Sequence, residues 1–250
     1  MTVEEKQKLA GFVDLTGDFL TTGYRGEQKV YHFDEYPDPA ENIIHNSQNI
    51  NDPNNDDSIE KIAAEIKNCH DCILAKTRKN TVPGEGVTNP LVLVIGEGPG
   101  ADEDIQGRPF VGRAGQLLDK MLASINLSRT SNCFIANVVK CRPPNNRDPH
   151  PEEKDACYHF LKRQITLLKP KFILLVGNVA AQCMLNAKES VGKIRGKIID
   201  YKIDDMTIPL MVTYHPSFLL RSENFKRPAW EDLKSLRARI ESGFQLTENN

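Results

Sequence analysis

The chain has 250 residues, 39% hydrophobic and 26% charged, with a formal net charge of −2. That length can bury one core of roughly 180 residues with an appendage, and no apolar stretch approaches the roughly 20 residues that span a bilayer. The start, MTVEEKQKLAGF, has neither the basic beginning nor the apolar centre of a signal peptide, so a cytoplasmic protein with no membrane partner is expected.

Charge is spread unevenly. Residues 1–68 carry net −8 and residues 69–250 net +6, which makes the second part the candidate binder of a polyanion. Residues 1–45 show turn signals without a sustained period. NSQNINDPNNDDS, residues 46–58, has almost nothing to bury and reads as a linker. The expected organisation is an N-terminal extension over 1–57 with no assigned function, a folded domain over 58–243 and a polar tail over 244–250.

From Ser58 the pattern firms. Ser58 can cap a helix in which Ile59, Ile62, Ala63 and Ile66 recur at helical spacing, ending at Cys69. A strand over 91–96 precedes a helix over about 112–125 with Leu117, Leu118, Met121, Leu122 and Ile125 on one face. A strand over 133–139 precedes a helix over 151–168, opened by Pro151 and by Glu152 and Glu153 near its positive end. A strand over 171–176 leads to a short helix near 178–186. Strands near 197–203 and 208–213 follow, and then a last helix over about 229–242. Apolar strands alternating with helices predict an α/β fold with a mostly parallel sheet covered on both faces. Ligands bind such sheets where the strands end, and three strand ends carry chemistry: GEGPG at 96–100, Asn137, and YHPS at 214–217.

GEGPGADEDIQGRPFVGRAG, residues 96–115, follows the first strand with six glycines, two prolines and four acids. Glycines suit a phosphate cradle, but Glu97, Asp102, Glu103 and Asp104 would repel a polyphosphate, and no Gly-Lys-Ser or Gly-Lys-Thr follows. The six cysteines raise a separate question. Cys69 and Cys72, two residues apart in a cytoplasmic protein, read as a metal-binding or redox pair. Cys141 and Cys157 form a second pair, and four thiolates could hold one zinc or one iron–sulfur cube. Cys133 and Cys183 lie in apolar surroundings and read as packing residues.

Gly96-Glu97-Gly98-Pro99-Gly100, Glu103-Asp104, the run Gly107 to Gly115, the run Asn137 to Pro149 and His215-Pro216-Ser217 with Leu219-Leu220-Arg221 stand in an order that resembles the family 4 uracil-DNA glycosylases. The resemblance runs from about Cys69 to Arg239. It implies a three-layer sandwich around a four-stranded parallel sheet, and a [4Fe-4S] cluster held by Cys69, Cys72, Cys141 and Cys157. It also implies hydrolysis of the uracil–deoxyribose bond in single- or double-stranded DNA, by a monomer, leaving an abasic site for base excision repair.

By the same resemblance Phe110 stacks on the extruded base, and Asn137 reads the uracil edge through an amide that both donates and accepts. Glu103 walls off the methyl of thymine and is held by Asn146, while His215 donates to the leaving uracil as negative charge develops there. Glu97 belongs to the pocket with Gly98 and Pro99, its role open between orienting water, balancing charge on the sugar and ordering the loop by hydrogen bonds. Ser217, Leu219, Leu220 and Arg221 are the expected DNA contacts, the leucines as a wedge, with Lys140, Arg142, Arg147 and Arg113 as further backbone contacts. Three alternatives predict other outcomes. They are a covalent uracil-DNA trap for which His150 is the nearest histidine, a magnesium nuclease built on Glu97, Asp102, Glu103 and Asp104, and a non-catalytic iron–sulfur module that binds DNA.

Overall fold

The structure, a computed structural model, describes residues 57–245. The expected extension therefore lies outside the described residues except for Asp57, as does the end of the expected tail. Ser58 opens α1 (Ile59–Asn68) by accepting the Lys61 N–H at 3.1 Å, as its residue type and position predict. Arg163 binds both Asp57 and Glu65, fastening this first helix to the domain.

The elements that follow are β1 (Glu85–Gly86), β2 (Val92–Gly96), α2 (Ala101–Gln106), α3 (Arg113–Ala123), β3 (Cys133–Asn137), α4 (Pro151–Leu168), β4 (Phe172–Val176), α5 (Asn178–Leu185), α6 (Val191–Ile194), β5 (Ile198–Ile203), β6 (Met206–Thr213), α7 (Pro216–Arg221) and α8 (Lys226–Gln245). Short 3-10 turns span Ile73–Lys76, Pro144–Asn146 and Glu223–Phe225. The sheet has six strands in the order β1-β3-β2-β4-β6-β5. Its central four, β3-β2-β4-β6, are mutually parallel. β1 and β5 run antiparallel at the two edges. The expected four-stranded parallel sheet is thus the middle of a larger mixed one.

Two apolar clusters flank the sheet and alternate along its strands. Leu93, Ile95, Ile173, Leu175, Leu210 and Val212 face one side, toward α1, α4 and α5. Val92, Val94, Phe172, Leu174, Val176 and Met211 face the other, toward α3 and α8. This period of two, with both faces apolar, makes each central strand read as an unbroken hydrophobic run.

Four elements escaped the pattern, β1, α2 and the short helices α6 and α7. β1 is two residues long and too short to show alternation; at Gly86 a Cβ would meet Cys133 O at 2.2 Å. α2 forms from the acidic run that reads as loop. Asp102, Glu103 and Asp104 occupy its first turn, where carboxylates favour the positive helix end. Gly107 ends the helix at φ 69°, a left-handed stop suited to glycine. Three of the four acids that excluded a phosphate cradle therefore begin a helix.

Candidate active site

All four parallel strands end on one edge, and each exit contributes to a cleft of about 660 Å³. Glu97, Gly98, Pro99 and Gly100 leave β2, Asn137 ends β3, Gly177 and Asn178 leave β4, and Tyr214 and His215 leave β6. From β2 the chain moves to β3 on one side and then crosses to β4 on the other, so the cleft sits where strand order reverses.

Asn137 forms the floor. It is 1% exposed, and its Oδ1 is the one buried side-chain polar atom among the described residues that lacks a hydrogen-bond partner. Leaving such an atom unpaired costs about 1–3 kcal/mol, which a bound N–H could recover. Space for the amide comes from the neighbouring strand. Gly96 pairs with Asn137, and a Cβ there would meet Asn137 Oδ1 and Phe110 Cζ, each at 2.5 Å.

Phe110 lines the same cleft with its backbone at φ 52°, a conformation that bulky residues rarely adopt. Glu103 holds that loop in shape. One carboxylate oxygen accepts the Val111 and Gly112 N–H groups at 2.9 and 3.0 Å, and the other accepts the Gly100 N–H at 3.1 Å. The first turn of α3 packs under the loop so closely that a Cβ on Gly115 would lie 1.9 Å from Phe110 O.

His215 stands with its ring 5.7 Å from that of Phe110. Its Nδ1 accepts the Ser217 backbone N–H at 3.1 Å, so Nδ1 is unprotonated and the ring hydrogen of the neutral form resides on Nε2. The Ser217 hydroxyl lies 2.8 Å from the same Nδ1. Burial, with Arg221 nearby, pulls the His215 pKa down to about 4, which keeps the ring neutral in ordinary buffers. Its close seat depends on Gly177, at φ 100°, where a Cβ would come within 2.9 Å of the His215 Cβ. Burial, reinforced by Asp148, pushes Glu97 up to about 7.

The comparisons agree with this architecture. Residues 83–234 match the family described as the Uracil DNA glycosylase superfamily. The chain belongs to that family. It is 44% identical over 179 residues to the type-4 uracil-DNA glycosylase of Pyrobaculum aerophilum, covering 70% of this chain and 91% of that one. The type-4 uracil-DNA glycosylase of Thermotoga maritima is 43% identical over 185 residues, 73% of this chain and 94% of its own. That of Saccharolobus solfataricus is 42% identical over 191 residues, 74% and 88%. Membership makes the chain a hydrolase acting on N-glycosyl bonds.

Within this glycosylase fold Glu97, Gly98, Pro99, Glu103, Phe110, Asn137, Asn146 and His215 all border one cleft, and Ser217 and Arg221, the expected DNA contacts, line it too. Several expected roles change. Glu103 is bound by backbone amides rather than by Asn146, whose Oδ1 accepts from Arg142 Nε at 2.8 Å. Leu219 is fully buried among the residues packed between α3 and α8, so it is a core residue and not a wedge. Leu220 is half-buried and Arg221 exposed.

Lys140 does not face DNA. It is 1% exposed, and its ammonium donates to Asn137 O at 2.9 Å and to Gln164 Oε1 at 2.7 Å. Arg147 is engaged by the buried Glu153 through two contacts of 2.8 and 2.6 Å. Arg113 remains exposed. His150 precedes α4, where its backbone N–H donates to Glu153. The acids proposed for a nuclease do not converge: Asp104 is buried and accepts from the Lys79 and Asn80 N–H groups, while Asp102 lies exposed beside Gly112.

A second, smaller recess lies away from the cleft. Cys69, Cys72, Cys141 and Cys157 all line it. Two sulfurs already accept hydrogen bonds, Cys141 from Arg78 Nη1 at 3.2 Å and Cys157 from the Lys140 backbone N–H at 3.3 Å. Burial pushes the Cys157 thiol up to about 12 and raises Cys69 and Cys141 as well, so as free thiols they stay protonated. Cys133 is buried in the core and Cys183 half-buried on α5. The sequence reading missed Arg78, which also donates to Cys69 O at 2.7 Å, and Gly177. Nothing marks Arg78 in sequence, whereas a glycine directly after an apolar strand is a signal for Gly177.

Proposed function

We propose that the chain releases uracil from DNA by drawing the nucleotide out of its stack into the cleft and hydrolysing its N-glycosidic bond, leaving an abasic site. The observation that carries this reading is the orphaned Oδ1 of Asn137. Uracil presents a ring N–H beside a carbonyl, and an amide can accept from the first while donating to the second. Cytosine presents the opposite pattern, which would leave the buried amide facing like groups. Extrusion costs a few kcal/mol, and stacking on Phe110 offsets about 1–3 kcal/mol.

As the glycosidic bond lengthens, negative charge gathers on the uracil oxygen and positive charge on the sugar. The Nε2–H of neutral His215 donates to that oxygen more strongly in the transition state than in the ground state, which is the requirement for catalysis. Glu97, once ionised, orients water or balances the sugar's charge. Glu103 keeps the Phe110 loop rigid, and a wall that cannot yield is what excludes the extra methyl of thymine.

The cysteine recess fits an iron–sulfur cluster. Four thiols share one space, and two of the sulfurs already accept N–H donors. Cys69, Cys72, Cys141 and Cys157 would hold a [4Fe-4S] group, whose contribution is to cross-link the α1 end, the loop after β3 and α4. Base release from oligonucleotides bearing one uracil, thymine or cytosine tests the reading. Release of uracil alone is expected, and equal release of thymine would refute the rigid wall.

A further inference from the structure

We infer that Tyr214, Phe218 and Phe225 form a stacking platform for an unpaired nucleobase next to the extruded one. The inference rests on the DNA-glycosylase reading above and adds a second base site to it. Leu219, the sequence-based wedge, is fully buried and cannot meet DNA. Three large hydrophobic side chains are exposed among the described residues, Ile73, Ile105 and Phe225. Of these, Phe225 alone belongs to an aromatic cluster that reaches the cleft.

The cluster is closely packed. Tyr214 and Phe218 stack at 5.3 Å with 27° between planes, and Phe225 lies 5.1 Å from Tyr214 and 4.9 Å from Phe218. Tyr214 and Phe218 both line the cleft, so Phe225, 38% exposed, extends its wall outward. Rings held by rings lose little further entropy on binding, and any nucleobase has a face to lay on them. The charges nearby suit a nucleic acid strand. Arg221 is exposed at the cleft rim, and the adjoining acid Glu223 is paired with Lys226 at 2.7 Å; Arg195, itself paired with Asp232, lies 5.4 Å over the Tyr214 ring and helps to hold it.

The test is a thermodynamic cycle with the full chain on single-stranded oligonucleotides carrying one uracil, in which the nucleobase on either side is replaced in turn by a baseless spacer. Phe225→Leu keeps apolar packing and removes the flat face. We expect it to raise KM about 5-fold or more, with the loss in KM rather than kcat and with Phe225→Trp restoring the original value. Deleting one flanking base should raise KM to the same extent in the unaltered protein and add little in Phe225→Leu. Additive losses, a loss confined to kcat, or an unchanged KM would overturn the platform. Absence of base release by the unaltered protein would instead overturn the glycosylase reading.

Discussion

Glu97→Gln separates what the cleft needs from what the fold prefers. Glu97 rises from an ordinary 4.5 to about 7 because burial, with Asp148 in the same cleft, disfavours its charge. At about 1.36 kcal/mol per tenfold, that elevation sets an upper bound near 3 kcal/mol on the cost of ionising the folded protein. Solvent open to the cleft reduces it to about 1–2 kcal/mol. The sign follows from proton counting. Between pH 4.5 and about 7 the folded state holds a proton that the unfolded chain has released, so this contribution to stability falls as pH rises and levels off above about 7. Glutamine has no proton to lose. Urea denaturation of both proteins at pH 5, 6, 7 and 8 should show the variant gaining about 1–2 kcal/mol on the original across that span. Base release should show the complement: in the original protein the rate climbs as pH passes through about 7, while in the variant it is lower and flat. His215, neutral above about pH 4, adds no change to the rate in this range; its own contribution to stability rises with pH up to the unfolded value of 6.5, is the same in both proteins and cancels in their difference. A stability difference independent of pH would refute the assignment of a half-buried carboxyl with a raised pKa to Glu97.

Other substitutions test other parts of the cleft. Gly96→Ala should cut base release about 100-fold or more, because the new methyl displaces both Asn137 and Phe110; circular dichroism should report a retained fold. Leu219→Ala should lower stability by about 2–4 kcal/mol in urea as a core deletion, and the salt dependence of DNA binding should stay as it was. Cys157→Ala should remove the broad visible absorbance that a cluster-loaded preparation shows, and a colourless unaltered protein carrying one zinc would contradict the cluster.

Much of the fold was legible because the central strands are buried on both faces and the helices between them keep strong periodicity. α4 was expected over 151–168 and runs over Pro151–Leu168, since Pro151 and two acids mark its start. Edge strands carry no such signal. β1 is too short for one, and α2 was hidden by glycines and by acids whose role is to open a helix. Site residues were legible through motif order, whereas their partners were not. That Glu103 is held by amides on its own loop depends on how that loop closes, while Lys140 turning inward to Gln164 and Leu219 pointing into the core are decided by packing between separate elements. Leu219 and Leu220 are neighbours of the same type, and only the face of a short helix against α3 distinguishes the buried one.

The central claim is that the unpaired amide oxygen of Asn137 awaits the N–H of an extruded uracil. Its most direct measurement is alkali-labile strand cleavage at a single uracil in DNA, with EDTA present, by the unaltered protein and by Asn137→Ala. The account predicts cleavage by the first, and by the second a rate lower by about 100-fold or more with stability undiminished, since the substitution removes an unsatisfied buried atom. Cleavage at equal rates by the two proteins, or none by the first, would contradict it.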